Sequence, residues 1–383
     1  MSTKSLIFGD KVLLVIILLL SLFSFFPVFS SSSYLSYVVD GSSPIYYLVK
    51  HLIVLLFGFI LMLSVKLVPF KLYKGMSIIL LPIGLALLAY TLSKGTIIGG
   101  SVASRWIDIP FVGISFQTSS LAAIIIITYT ARYLSKVRLS ETKFSQTLLP
   151  LWFPIFAYIF LILPANFSTA FLIFSTLFIT LLIAGFPLRH LFKMFLILTF
   201  LLIIFFLTAK AFPEKFPNRI DTWISRVENF GSNTNSDASY QIERAKMAIN
   251  NGGIIGIGAG KSIMKNHLPQ SNSDFIFAII IEEYGIIGGS LIIILYMLMF
   301  FRILSITHRT DDRFGKILVS GLGIFIIIQA FTNISVSTQI IPVTGQNLPL
   351  ISSGGSSAWM TCISLGMILS VSSSIKKIKI EKE

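Results

Sequence analysis

Three carboxylates sit at one edge of a long apolar run. Asp274 follows Leu268-Pro-Gln-Ser-Asn-Ser and directly precedes Phe275-Ile-Phe, while Glu282 and Glu283 lie two turns deeper. At a helix N-terminus Asp274 would be favoured by the dipole whatever else it does. Asn272 and Ser273 before it are natural caps. Ionisable groups inside an apolar span are costly, so Glu282 and Glu283 read as functional residues. The plainer alternative for both is an interhelical hydrogen bond.

Upstream of Asp274 runs Gly252-Gly-Ile-Ile-Gly-Ile-Gly-Ala-Gly-Lys-Ser262. Gly-Lys-Ser invites comparison with a nucleotide-binding P-loop, but that loop needs a glycine at 255, and Ile255 stands there. Nucleotide binding is therefore excluded. The glycines permit a tight backbone path, and amides exposed near Lys261 could meet an anionic phosphate. Before this segment, Tyr240, Arg244 and Met247, with Ile242 and Ala245, recur at spacings of three and four. That pattern predicts a short amphipathic helix, started by Ser236 or Asp237 and ended by Gly252, on the membrane surface or over a cavity. Near the end, Ile341-Pro-Val-Thr-Gly-Gln-Asn-Leu-Pro-Leu-Ile-Ser-Ser-Gly-Gly-Ser-Ser357 is polar and rich in Gly and Pro between two apolar runs. Its length and hydroxyl density predict a re-entrant, cavity-lining segment, because irregular backbone at membrane depth persists only inside protein or against water. Gln329 and Asn333 precede it and could bond across helices or face the same cavity.

The elements that carry these residues are set by composition. The chain has 383 residues, of which 55% are hydrophobic and 12% charged, with a mean hydropathy of +0.87. A soluble domain of that composition could not cover its own apolar surface. The net charge of +14 sits in short connectors and not in one aromatic-interleaved stripe, which excludes nucleic-acid binding. The single cysteine, Cys362, can form no internal disulfide. Apolar runs long enough to span a bilayer lie near 11–30, 46–65, 75–93, 117–134, 147–163, 168–185, 191–210, 274–300, 317–337 and 357–374. The first is too long for a signal peptide and is read as a retained helix. Basic residues alternate between connectors, which predicts cytoplasmic termini for an even span count. The segment 211–273 then becomes one large extracytoplasmic loop. The predicted fold class is all-α, a single polytopic bundle of about ten spans covering 1–383.

In combination these segments resemble the SEDS family (shape, elongation, division and sporulation) of peptidoglycan glycosyltransferases. Arg105-Trp106-Ile107 is similar to the family's Arg-Trp-Ile, and Gln117-Thr-Ser-Ser120 to its Gln-Pro-Ser-Glu. Pro164-Ala-Asn-Phe-Ser-Thr-Ala170 resembles Gln-Pro-Asp-x-Gly-Thr-Ala. Tyr240-Gln241 through Gly260 resembles the Tyr-Gln segment with its glycine run. Leu268 to Gly285 resembles Leu-Pro-Glu-x-x-Thr-Asp-Phe-Ile-Phe-Ala with the later Glu-Glu-x-Gly, and Pro342 to Ser357 the Pro-Val-x-Gly segment. The wording is closer to the division branch than to the elongation branch. Ser120, Ala123 and Gln270 replace the family's usual Glu, Lys and Glu.

The resemblance implies polymerisation of lipid II into β-1,4-linked glycan at the outer face of the cytoplasmic membrane. It makes Asp274 the catalytic carboxylate, a general base acting directly or by holding a divalent cation (Mg or Mn). No organic cofactor is implied. Arg105, Arg244 and Lys261 are candidates to meet pyrophosphate, and Trp106 to stack on a sugar or anchor at the interface. Gln117, Tyr240, Gln241, Glu282, Glu283, Ser352, Gly354, Gly355 and Ser356 complete the substrate-binding candidates. The implied partners are lipid II, the undecaprenyl-pyrophosphate-linked glycan, membrane lipid, a class B penicillin-binding protein and other division proteins. The alternatives are a lipid II flippase, an elongation polymerase and a scaffold for the transpeptidase.

Overall fold

The computed structural model describes residues 9–34, 43–95, 106–109, 114–137, 143–211, 237–268 and 271–382. Arg105, Gln270 and residues 212–236 of the expected outer loop lie outside them. Among the described residues a helix stands at each of the ten expected positions. They are α1 (Lys11–Tyr34), α2 (Pro44–Leu67), α3 (Phe70–Lys94), α4 (Thr118–Lys136), α5 (Phe144–Ile162), α6 (Phe167–Ile183), α7 (Leu188–Ala211), α9 (Ile276–Arg309), α10 (Arg313–Ser337) and α11 (Gly355–Lys382). An eleventh, α8 (Asp237–Gly252), is the expected amphipathic helix. Seven of these helices are both long and apolar enough to cross a bilayer: α1, α2, α3, α5, α9, α10 and α11. The protein is a multi-pass membrane protein.

The all-helical expectation needs one amendment. β1 (Trp106–Ile109) pairs antiparallel with β2 (Ile114–Gln117). Ile-rich segments of four residues are too short for a helix and suit a hairpin.

The chain divides into two compact units, residues 1–70, 229–310 and 325–383 in the first and 71–228 and 311–324 in the second. In the second unit, Tyr158 donates to the Leu81 carbonyl at 2.7 Å and Tyr129 to that of Pro150 at 2.6 Å. Asn166 caps α6, accepting from the Thr169 amide at 3.2 Å, which gives the Pro164-Ala-Asn sequence a local structural purpose.

In the first unit, α2 and α11 pack through small residues, as lipid-embedded helices do. A Cβ on Gly58 would lie 2.9 Å from Cys362 Sγ, and one on Gly366 would lie 2.6 Å from the Met62 carbonyl. Trp359 and Ser370 donate to the carbonyls of Val54 and Val68. Helices α1 and α9 run antiparallel and are tied at two levels. At one end Arg302 grips Asp10 through Nε at 2.8 Å and Nη2 at 2.7 Å, while Asp10 also caps α1 at the Leu13 amide. At the other, the Ser30 hydroxyl donates to the Glu283 carboxylate. At 1.5 Å per residue the two ties are about 30 Å apart along either helix, which is the thickness of a bilayer's hydrocarbon core.

Candidate functional site

Asp274 is buried at 8% exposure in a turn that leads into α9. Its backbone is held from two directions. Asn333 on α10, fully enclosed, donates Nδ2 to the Asp274 carbonyl at 2.9 Å and to the Gln346 carbonyl at 2.7 Å. Ser352 Oγ donates to the Ser273 carbonyl at 2.7 Å and accepts from the Leu348 amide at 2.8 Å. The Ser353 amide donates to the Asn272 carbonyl at 2.9 Å. The irregular segment 341–354 is thus a clamp around 272–274. One of its glycines faces the carboxylate: a Cβ on Gly345, whose φ is +68°, would lie 3.5 Å from Asp274 Oδ2. The expected capping of α9 by Asn272 or Ser273 is not what forms. The N-cap is Phe275, with no side-chain cap, because the carbonyls and turn of 272–274 are engaged by the clamp.

Beneath Asp274 a small apolar core joins α8, the start of α9 and the end of α10. Ala245, Ala248, Leu268, Phe275, Ala278, Ile279, Val336 and Val343 bury one another there. The alanines of α8 let its backbone approach α9 closely. The outer face of α8 carries the candidate side chains: Arg244 lies over the Tyr240 ring at 4.8 Å and reaches Met247 Sδ at 3.4 Å, and Gln241 is half-buried.

Glu282 and Glu283 are buried and bonded within the protein. Glu282 takes up the turn at 262–264. It accepts from the Ser262 hydroxyl, from the Ile263 and Met264 amides at 3.3 Å and from Asn251 Nδ2 at 3.3 Å. Glu283 accepts from the Ser30 hydroxyl and from the Ser262 amide at 3.4 Å. Lys265 Nζ completes the knot, donating to Ser30 Oγ at 3.2 Å and to the Gly260 carbonyl at 2.7 Å.

The glycine run meets α9 at a break in that helix. Gly285 has φ +66° and ψ −170°, so the amides of Ile286 and Ile287 leave the helical ladder. They donate instead to the Gly253 and Ile254 carbonyls at 3.0 and 3.3 Å. The carbonyls of Glu282 and Glu283, released by the same break, accept from the Ile257 and Gly258 amides at 3.0 Å. These four backbone groups opened by the break are therefore paired again. No side chain fits in between: a Cβ on Gly285 would lie 2.2 Å from the Ile254 carbonyl oxygen, and one on Gly256 would lie 2.2 Å from that of Glu283. Lys261 emerges exposed from this loop.

Trp106 and Gln117 belong to the other unit, where they are Cα partners across the β1–β2 hairpin. Ser120 Oγ donates to Gln117 Oε1 at 3.1 Å. Gly355 opens α11, Ser356 is buried behind it, and a Cβ on Gly354 would collide with Asn347. Sequence reasoning did not single out Ser30 or Lys265. The hydroxyl run Ser30-Ser-Ser-Ser33 at the C-terminal end of an otherwise apolar segment was the available signal for Ser30.

The model of the cell cycle protein family of FtsW, RodA and SpoVE matches residues 10–377. The chain is 31% identical over 332 residues to the probable peptidoglycan glycosyltransferase FtsW of Nitrosococcus halophilus, covering 86% of this chain and 83% of the relative. It is 31% identical to the same-named protein of Halomonas elongata, covering 95% and 90%, and 29% identical to the stage V sporulation protein E of Bacillus subtilis, covering 95% and 96%. Among solved structures, a chain of a peptidoglycan synthase complex that coordinates polymerization and crosslinking superposes with a TM-score of 0.74 at 22% identity, covering 96% of this chain and 98% of that one. The rod shape determining protein RodA of Thermus thermophilus superposes with a TM-score of 0.67 at 20% identity, covering 95% and 96%. At those identities the likeness is one of fold.

Proposed function

The chain belongs to the cell cycle protein family of FtsW, RodA and SpoVE, and on that footing we propose that it polymerises lipid II into β-1,4-linked peptidoglycan strands for septal wall synthesis. The chemistry takes place at the outer face of the cytoplasmic membrane. A growing glycan on undecaprenyl pyrophosphate presents its anomeric carbon, and the 4-hydroxyl of lipid II attacks it. The new glycosidic bond forms as the bond to pyrophosphate breaks. The hydroxyl proton passes to a carboxylate, and the lipid pyrophosphate leaves with the bonding electrons.

One observation carries the assignment of that carboxylate. Asp274 is held through its backbone by Asn333 while its Oδ2 faces Gly345, whose φ of +68° favours glycine and leaves that side of the carboxylate without a side chain. A base so fixed loses little freedom on reaching the transition state. Lys261 and Arg244 are the candidates on the same unit to draw in pyrophosphate by charge. Glu282 and Glu283 act at one remove, by fixing the turn at 262–265.

Among the described residues no three His, Cys, Asp or Glu side chains come together. A divalent cation at Asp274 would take water and pyrophosphate oxygens into its shell, an arrangement that suits Mg²⁺. When bound, it would neutralise charge on the leaving group.

The same reading takes a class B penicillin-binding protein as the working partner, which would cross-link the strands made here. The test is incubation of purified protein, with and without that partner, with labelled lipid II. Glycan polymer longer than the disaccharide supports the proposal. Unchanged lipid II under all conditions, from folded protein, would overturn it.

A further inference from the structure

We propose that the glycine loop 252–258 is inserted into the outer leaflet of the membrane, where Ile254 and Ile255 contact lipid acyl chains. The loop was expected to lie outside the bilayer, as part of an extracytoplasmic connector. Its hydrogen bonds fasten it to α9 at Gly285.

The two ties between α1 and α9 provide a depth scale. Arg302, bonded to Asp10, marks the inner polar boundary. Counting back along α9 at 1.5 Å per residue puts Ile287 about 22 Å from that level, inside a hydrocarbon core about 30 Å thick. Helix tilt only deepens it. Ile286 and Ile287 are 57% and 62% exposed, as side chains of a spanning helix facing lipid would be. Ile254 is fastened to that level because its carbonyl accepts from the Ile287 amide, and Gly253 likewise from Ile286.

The side chains agree with the placement. Ile254 and Ile255 are 69% and 78% exposed, the latter the most exposed isoleucine of the molecule's described core and surface residues. An adjacent pair so exposed is unfavourable in water and favourable against acyl chains. The backbone bonds set this exposed pair of the loop beside the exposed Ile286 and Ile287 of the spanning helix. The backbone is joined to the helix as well: the Ile286 and Ile287 amides and the Glu282 and Glu283 carbonyls, released at Gly285, are paired by the loop, which removes four polar groups that lipid could not satisfy. The occupant of this surface is therefore lipid, continuous with the lipid around α9.

The experiment uses the natural scarcity of cysteine. Cys362 is the chain's single cysteine, so Cys362→Ala provides a thiol-free background. Ile255→Cys and, separately, Ile254→Cys are labelled with an environment-sensitive fluorophore and reconstituted into phosphatidylcholine–phosphatidylglycerol vesicles. Lys246→Cys on exposed α8 is the water-facing reference. We expect blue-shifted emission at 254 and 255, strong quenching by lipids spin-labelled in the upper acyl chain, and little quenching by iodide. The reference should show the reverse. Iodide quenching at both loop positions would overturn the proposal. So would protection from both quenchers, which would mean that protein and not lipid covers the loop. A labelled variant that fails to fold is recognised by its gel-filtration profile and replaced by the other.

Discussion

Asn333 holds the two halves of the site together, donating one side-chain nitrogen to the carbonyls of Asp274 and Gln346 at 2.9 and 2.7 Å. The first acceptor lies just before α9 and the second lies in the clamp, so a single enclosed amide sets the position of the carboxylate relative to Gly345. Removing it should leave two carbonyls without that donor in a buried place, at a cost of about 1–3 kcal/mol. Asn333→Ala should lower kcat for lipid II polymerisation with KM nearly unchanged, and lower the melting temperature. A variant with normal kcat would remove Asn333 from the positioning role.

Asp274→Asn keeps the shape and volume of the side chain and removes its basicity. The rate of polymerisation should fall by about 10²–10⁴-fold, the usual contribution of a general base. Melting temperature in detergent should stay close to that of the unaltered protein. Retained activity would shift the proton-accepting role to another group.

Gly285→Ala puts a methyl group into the Ile254 carbonyl at 2.2 Å and demands φ +66° from a residue with a Cβ. That combination of φ and ψ is essentially confined to glycine and costs another residue about 1–3 kcal/mol, and the backbone of the loop cannot retreat without losing its own hydrogen bonds. The variant should be recovered in low yield and aggregate on extraction. Gly75→Ala on α3 is the control. A Cβ there meets nothing within 4 Å, so yield should be unchanged or improved, by the helix propensity of alanine.

Asp10 has two roles that substitution can separate. Asp10→Asn keeps an acceptor for the Leu13 amide but loses the ion pair with Arg302, while Asp10→Ala loses both. The cap alone is worth about 1 kcal/mol. Because Arg302 is 26% exposed, the pair should add an amount between a surface and a buried salt bridge, about 1–3 kcal/mol. Thermal melts should rank native, Asn, Ala in falling order, with polymerisation by the folded fraction preserved.

Glu282→Ala should free the turn at 262–264, whose hydroxyl and amides converge on that carboxylate. Hydrogen exchange across 260–266 should accelerate strongly, while exchange within α11 should not change. Equal protection of the turn in both proteins would refute the anchoring role.

The sequence by itself determined the class of molecule. Spans of about 20 apolar residues have one solution in lipid, a helix that satisfies its own backbone. Each of the ten runs is accordingly a helix, and α8 keeps its three- and four-residue spacing from Asp237 to Gly252. Asp274 was visible as a carboxylate at the edge of an apolar run, and its family wording gave it a role. Local sequence could not say what a carboxylate would be bonded to. Glu282 and Glu283 are neighbours in sequence with the same cost of burial. Only the tertiary structure shows that one gathers the turn at 262–264 while the other reaches Ser30, about 250 positions away. The glycine run was legible as a tight path, but not as a patch sealing a broken helix, because that depends on the Ile286 and Ile287 amides becoming available at Gly285. Hydropathy and periodicity are sums over neighbours in the chain. Hydrogen bonds between distant segments are decided by which backbone groups the packed helices leave unpaired, and that is known only when they are packed.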